Sequence, residues 1–165
     1  MSLDFRRTKN SGNTEGLRVG FTTGASGTTA QVMGAYIKPR TDGFNIRAQL
    51  GGGFTNGPAV ADDKFADWFR VVATITHTLD NAGEVKVDLY RLDGVGAATF
   101  LDTWTINAVD ANFADTTLHA GFYNNSMNAV GFRDIDNFSV SAVPEPASLG
   151  LVGLGVVGRL RGRRA

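Results

Sequence analysis

A chain of 165 residues is enough for one domain with a single buried core and too short for two independent ones. Its 21 Gly and 11 Phe against only 4 Pro favour short strands joined by turns over a helical bundle, and with no cysteine it has no disulfide framework, thiolate metal site or cysteine nucleophile. The net charge of zero hides an asymmetry: with Arg159, Arg161, Arg163, Arg164 and Glu145 set aside, the 16 basic and 16 acidic residues fall to 12 and 15, about −3 for the body, with no basic stripe to neutralise a nucleic acid.

In chain order, residues 1–16 read as a disordered N-terminal segment. Met1 to Asn10 hold no apolar stretch of the length a signal peptide requires, and Arg6-Arg7 is followed by the polar run Thr8 to Glu15, which excludes a twin-arginine signal. From Leu17 onward, short apolar runs alternate with turn clusters at the rhythm of a sandwich or barrel. The predicted strands are Leu17 to Thr22, Gln31 to Lys38, Phe44 to Leu50, Trp68 to Leu79, Glu84 to Leu92, Ala98 to Ile106, Thr117 to Tyr123 and Val130 to Val140. Gly51-Gly52-Gly53 and Asn56-Gly57-Pro58 read as a loop.

The clearest unit is a central hairpin. Phe69, Val71, Ala73 and Ile75 alternate with Arg70, Thr74 and Thr76, the turn falls at Asp80-Asn81-Ala82-Gly83, and Val85, Val87 and Leu89 alternate with Lys86, Asp88 and Tyr90 on the return. Asp67-Trp68-Phe69-Arg70-Val71-Val72-Ala73 with Val87-Asp88-Leu89-Tyr90-Arg91-Leu92-Asp93-Gly94 resembles the laminin G-like, concanavalin A-like family, and Gly131 to Val140 resembles the closing strand of such domains. The expected fold is therefore all-β, an antiparallel β-sandwich of concanavalin A-like jelly-roll type over residues 17–142.

Residues 143–165 form a distinct tail. Val143-Pro144-Glu145-Pro146-Ala147-Ser148 resembles the Pro-Glu-Pro box of the PEP-CTERM sorting signal, and an apolar run and an arginine cluster follow in that family's order. Two prolines hold Glu145 on an extended, helix-free backbone that a processing enzyme can reach. Ala147 to Gly158 is uncharged and mostly apolar; as a short C-terminal helix it would extend about 18 Å against a hydrocarbon core of about 30 Å. Arg159, Arg161, Arg163 and Arg164 would act as a cytoplasmic membrane stop. The resemblance implies sorting by exosortase, with Pro144, Glu145 and Pro146 as the recognition box, transient membrane association through the tail, and delivery to the cell envelope or extracellular matrix of a Gram-negative-type bacterium. A sorting tail without a signal peptide is simplest to reconcile if the chain as given lacks its true N-terminus and first strands.

No catalytic site is expected. Gly153-x-Gly155-x-x-Gly158 has the spacing of a dinucleotide-binding turn, but only seven residues follow it, too few for the returning strand. Asp134 and Asp136 share a strand face, yet the laminarinase-type Glu-x-Asp-x-x-Glu pattern is missing and Glu15, Glu84 and Glu145 are not grouped. His77 and His119 have no partner at a metal-ligand spacing. Asp62 and Asp63 are the candidate calcium ligands, as some laminin G-like domains bind calcium, and no other cofactor is implied. Trp68 is expected in the core, while Trp104 and Tyr123 are the candidate glycan contacts. The expected function is that of an exported, non-enzymatic surface module adhering to exopolysaccharide or a matrix protein; a glycan-acting hydrolase and a purely structural matrix protein are the alternatives.

Overall fold

The computed structural model describes residues 1–7, 16–23, 31–40, 42–50, 54–62, 67–79, 82–94, 97–109, 118–124 and 132–142. They form ten strands: β1 (Ser2–Arg7), β2 (Leu17–Thr22), β3 (Gln31–Arg40), β4 (Gly43–Leu50), β5 (Phe54–Ala61), β6 (Trp68–Leu79), β7 (Ala82–Leu92), β8 (Ala98–Val109), β9 (His119–Asn124) and β10 (Phe132–Ser139). Two five-stranded antiparallel sheets result, the first in the order β10-β1-β6-β7-β8 and the second in the order β5-β4-β3-β2-β9. The all-β sandwich predicted from the strand rhythm is the architecture observed. The short C-terminal helix, and all residues from 143 on, lie outside the described residues; among those described, no helix is long and apolar enough to cross a membrane.

The pairings nest. The first strand pairs with the last, β1 with β10, and the second with the last but one, β2 with β9. Between them run two meanders, β2 to β5 in the second sheet and β6 to β8 in the first. The central hairpin is in the predicted register, with Val71 opposite Leu89 and Ala73 opposite Val87.

Period-two alternation fills the space between the sheets. Leu3, Phe5, Phe69, Val71, Val85, Val87 and Leu89 from the first sheet meet Leu17, Val19, Met33, Ala35, Ile37, Phe44, Ile46 and Ala48 from the second, all essentially buried. Three rings sit at the centre of one end. Phe5 lies opposite Phe69 in the β1–β6 register with ring centroids 5.8 Å apart, and Phe44 enters from the facing sheet at 5.8 Å from Phe5 and 4.8 Å from Phe69, edge-on to both. At one side of the sandwich Trp104 of β8 packs onto Gly57 of β5 so closely that a methyl group on that glycine would sit 2.4 Å from the ring. At the other side Phe122 of β9 and Phe138 of β10 meet edge-on, 5.3 Å between centroids.

Two segments differ from the sequence-based expectation. Residues 1–16 are not disordered throughout, because Ser2–Arg7 is a strand in the interior of the first sheet with Leu3 and Phe5 fully buried. The stretch Ser2-Leu3-Asp4-Phe5-Arg6 has strict alternation, but only two apolar residues, so its hydrophobic signal is weak. The stretch around Asn56-Gly57-Pro58 is likewise a strand. Asn45 pairs with Ala59 and Arg47 with Asn56, so Ile46 stands opposite both Gly57 and Pro58. That bulge on an edge strand is where a proline, lacking an N–H to donate, is tolerated.

Since among the described residues β10 pairs with β1 alone, β1 secures two strands at once. Phe5→Ala should lower stability by about 3–5 kcal/mol in urea unfolding. A fragment beginning at Leu17 should fail to give a cooperative transition; native-like unfolding of that fragment would show that β1 is dispensable.

Candidate functional site

The strands of the two sheets differ in charge. The strands of the first sheet carry acids and bases in equal number: Asp4, Glu84, Asp88, Asp102, Asp134 and Asp136 against Arg6, Arg7, Arg70, Lys86, Arg91 and Arg133. The strands of the second sheet contain no Asp or Glu at all, yet include Arg18, Lys38, Arg40 and Arg47.

On the outer face of the first sheet three acids are paired with cations of the same sheet. Asp4, 2% exposed, accepts hydrogen bonds from Arg70 Nε at 2.6 Å and Nη2 at 2.8 Å, and from Asn137 Nδ2 at 3.0 Å. Asn137 reaches it by adopting a positive φ of 51°, a conformation asparagine tolerates better than most residues, within the irregular β1–β10 register. The hydrogen bond to Asp4 raises the pKa of the Arg70 guanidinium despite its partial burial. Asp134 accepts from Arg6 Nε at 2.7 Å and from Arg6 Nη2, and the same guanidinium lies 5.5 Å from the centroid of Trp68. Trp68 is therefore half-buried on the outer face, not in the core as expected. Asp88 receives Thr103 Oγ1–H at 2.6 Å and pairs with Lys86 at 3.0 Å. Asp134 and Asp136 do share a face, but Arg6 occupies the first, and the second accepts the Asn137 backbone N–H at 2.8 Å. This is a solvated strand face tied together by hydrogen bonds.

On the second sheet alternation and register build a row from residues far apart in the chain. Tyr123 of β9 stands opposite Arg18 of β2, Arg18 opposite Tyr36 of β3, and Tyr36 opposite Arg47 of β4. Arg18 Cζ lies 5.3 Å from the Tyr36 centroid, 6.0 Å from Tyr123 and 5.0 Å from Phe54, and Arg47 Cζ lies 5.5 Å from Tyr36. Phe54 comes from β5, three strands from Arg18, roughly 14 Å at ordinary strand spacing. Its ring must lie across the sheet, and it meets Tyr36 at 4.7 Å. The neighbouring row leaves room, because Gly34 and Gly20 stand there opposite each other without side chains. At the sheet's end Tyr36 lies against Gly16, where a methyl group would sit 1.9 Å from the ring. Tyr36, 7% exposed, is thus buried outside the core, beneath guanidinium groups and Phe54.

Neither Arg18 nor Arg47 forms an ion pair with any described residue, and the Nε of each is buried without a hydrogen-bond partner. Arg40, by contrast, is paired with Asp42 at 3.0 Å. Tyr123, a predicted glycan contact, belongs to this row. Trp104, the other, does not: it faces the inter-sheet space against Gly57, with Nε1 buried and unpartnered. Sequence reasoning missed Arg18, Tyr36, Arg47 and Phe54.

Of the two calcium candidates, Asp62 is the one described. Asp62 follows β5, its side chain 3% exposed, and accepts Arg91 Nη1–H at 3.0 Å; Asp67 lies 3.8 Å from Nε of the same guanidinium. Asp63 lies outside the described residues. Among the described residues no three metal-ligating side chains come together, and Arg91 already supplies the positive charge at Asp62. Addition of calcium to the chelator-treated protein should leave Tm unchanged, whereas Arg91→Ala should lower it; a calcium-dependent rise would support Asp62 and Asp63 as ligands.

Pro144, Glu145, Pro146 and the arginines Arg159, Arg161, Arg163 and Arg164 also lie beyond the described residues. No curated protein and no solved structure matches the chain. Residues 142–165 match the model of the PEP-CTERM protein-sorting motif, which supports an exported protein processed by exosortase, its C-terminal tail anchored in the membrane beforehand.

Proposed function

We propose that this chain is a non-enzymatic matrix-binding module, released by exosortase at the envelope, whose sandwich holds exopolysaccharide on its outer face. The observation that carries the reading is the juxtaposition of a sorting motif beginning at residue 142 with a folded body whose last strand ends at Ser139. Almost no linker separates body from tail, so the body stands at the membrane surface until the tail is cut. Once the tail is cut, the body's own surface is what this chain offers for retention in the matrix.

The nested pairing of first with last strand supports placing the body among laminin G-like, concanavalin A-like sandwiches. A binding role is favoured over glycan hydrolysis by the state of the acids. Asp4 and Asp134 are held by arginines and Asp88 by Lys86, so three of the six acids on the strands of the first sheet are already taken by cations.

Two measurements on the protein from its native cell test this. Intact-mass analysis should find the extracellular form ending before Arg159, and Glu145→Ala should leave it membrane-bound with the arginines attached. The purified full chain should be retained by at least one polysaccharide in a panel of neutral and acidic polymers, without releasing reducing ends. An unprocessed cytoplasmic protein would contradict the export reading; retention by no polymer would leave a structural role, and release of reducing ends an enzymatic one.

A further inference from the structure

The acid-free second sheet narrows the ligand class. We infer that the row Tyr123, Arg18, Tyr36 and Arg47, with Phe54 beside it, binds a linear acidic polysaccharide through its carboxylates. The inference rests on the reading that the body holds a matrix polymer, and adds which face does so and which chemistry it selects.

Charge complementarity is the first argument. The five strands of this sheet hold no carboxylate, while Arg18, Lys38 and Arg47 point away from the core without an ion pair to any described residue. Arg6, Arg70, Lys86 and Arg91 elsewhere on the body, and Arg40 at the end of β3, are each paired with an acid, so among the described residues this cluster is a local excess of unneutralised charge.

Pre-organisation is the second. Arg18 lies against three rings and Arg47 against one, so the stems and buried Nε groups are fixed before a ligand arrives. A guanidinium held in this way loses little rotamer freedom on binding and can grip a carboxylate with two parallel hydrogen bonds. Spacing is the third: Arg18 on β2 and Arg47 on β4 are two strands apart, about 9.5 Å, comparable to the length of a disaccharide along an extended glycan. A polymer with one carboxylate on every residue or every second residue, laid across the strands, would meet both forks.

The rings argue against single-stranded nucleic acid as the occupant. Base stacking needs exposed ring faces, and Tyr36 is 7% exposed with Arg18 and Arg47 both against it. Phe54, at 36% exposure, offers an apolar shoulder to the C–H face of a sugar.

The test compares polygalacturonate with the same polymer fully methyl-esterified, which keeps the backbone and removes the charge. The full chain should bind the acid form, weaken as salt rises, and bind the ester at least about tenfold less tightly. Arg18→Gln and Arg47→Gln should each cost about tenfold or more, while Arg40→Gln, which removes a cation already paired with Asp42, should cost much less. Should the glutamine variants not fold, Arg18→Lys and Arg47→Lys keep the charge and lose the fork, and should still weaken binding. Equal binding of acid and ester overturns this inference and leaves the matrix-binding reading standing; binding of neither also overturns this inference, and the matrix-binding reading then falls only if every polymer of the panel fails as well. Tighter binding of a single-stranded oligonucleotide, lost in the same variants, would reassign the face to nucleic acid.

Discussion

The structure depends on the insertion of β1 between β6 and β10. Its two apolar side chains, Leu3 and Phe5, are fully buried, and Phe5 completes the three-ring cluster with Phe69 of its own sheet and Phe44 of the facing one. Its opposite face carries Asp4, whose carboxylate is bonded by Arg70 on one neighbour and by Asn137 on the other. Apolar packing on one side and a charge-assisted network on the other thus fix the same register, since a one-residue slip would exchange Phe5 with a charged residue. The last described strand, which leads to the sorting tail, is hydrogen-bonded into its sheet by this element.

From that arrangement the division of labour between the sheets follows. The first sheet uses its outer-face charges to hold itself together: Arg6 with Asp134, Arg70 with Asp4, Lys86 with Asp88. The strands of the second sheet have no acids with which to do so; Arg18 and Arg47 rest on aromatic rings instead, while Arg40 reaches Asp42 just beyond its strand. Cation–π contacts satisfy the stem and one face of a guanidinium but leave Nη donors for an outside acceptor. A body whose overall balance is mildly acidic can therefore still present one cationic face.

Most of the fold was legible because strands that bury one side announce it by alternation, as the β6–β7 hairpin does. β1 escaped because two apolar residues among charges resemble a polar leader, and the meaning of Asp4 depends on Arg70, 66 positions away. β5 escaped because Asn-Gly-Pro carries turn chemistry that an edge bulge can also absorb. The aromatic–arginine row was legible in Tyr123 alone, since it is assembled by register between strands that no local pattern connects. A coarser signal was nevertheless present: from Leu17 to Ala61 the four strand segments contain four basic residues and no acidic one. Trp104 shows the converse error, an aromatic that looks available in sequence but closes the gap between sheets against Gly57.

The central claim is that the outer face of the second sheet is the contact surface. Arginine-selective labelling with phenylglyoxal, located by peptide mass spectrometry with and without polygalacturonate, tests it most directly. The account predicts that the polymer shields Arg18 and Arg47 while labelling of Arg70 and Arg91 on the first sheet is unchanged. Shielding of the first-sheet arginines with Arg18 and Arg47 still labelled would contradict it.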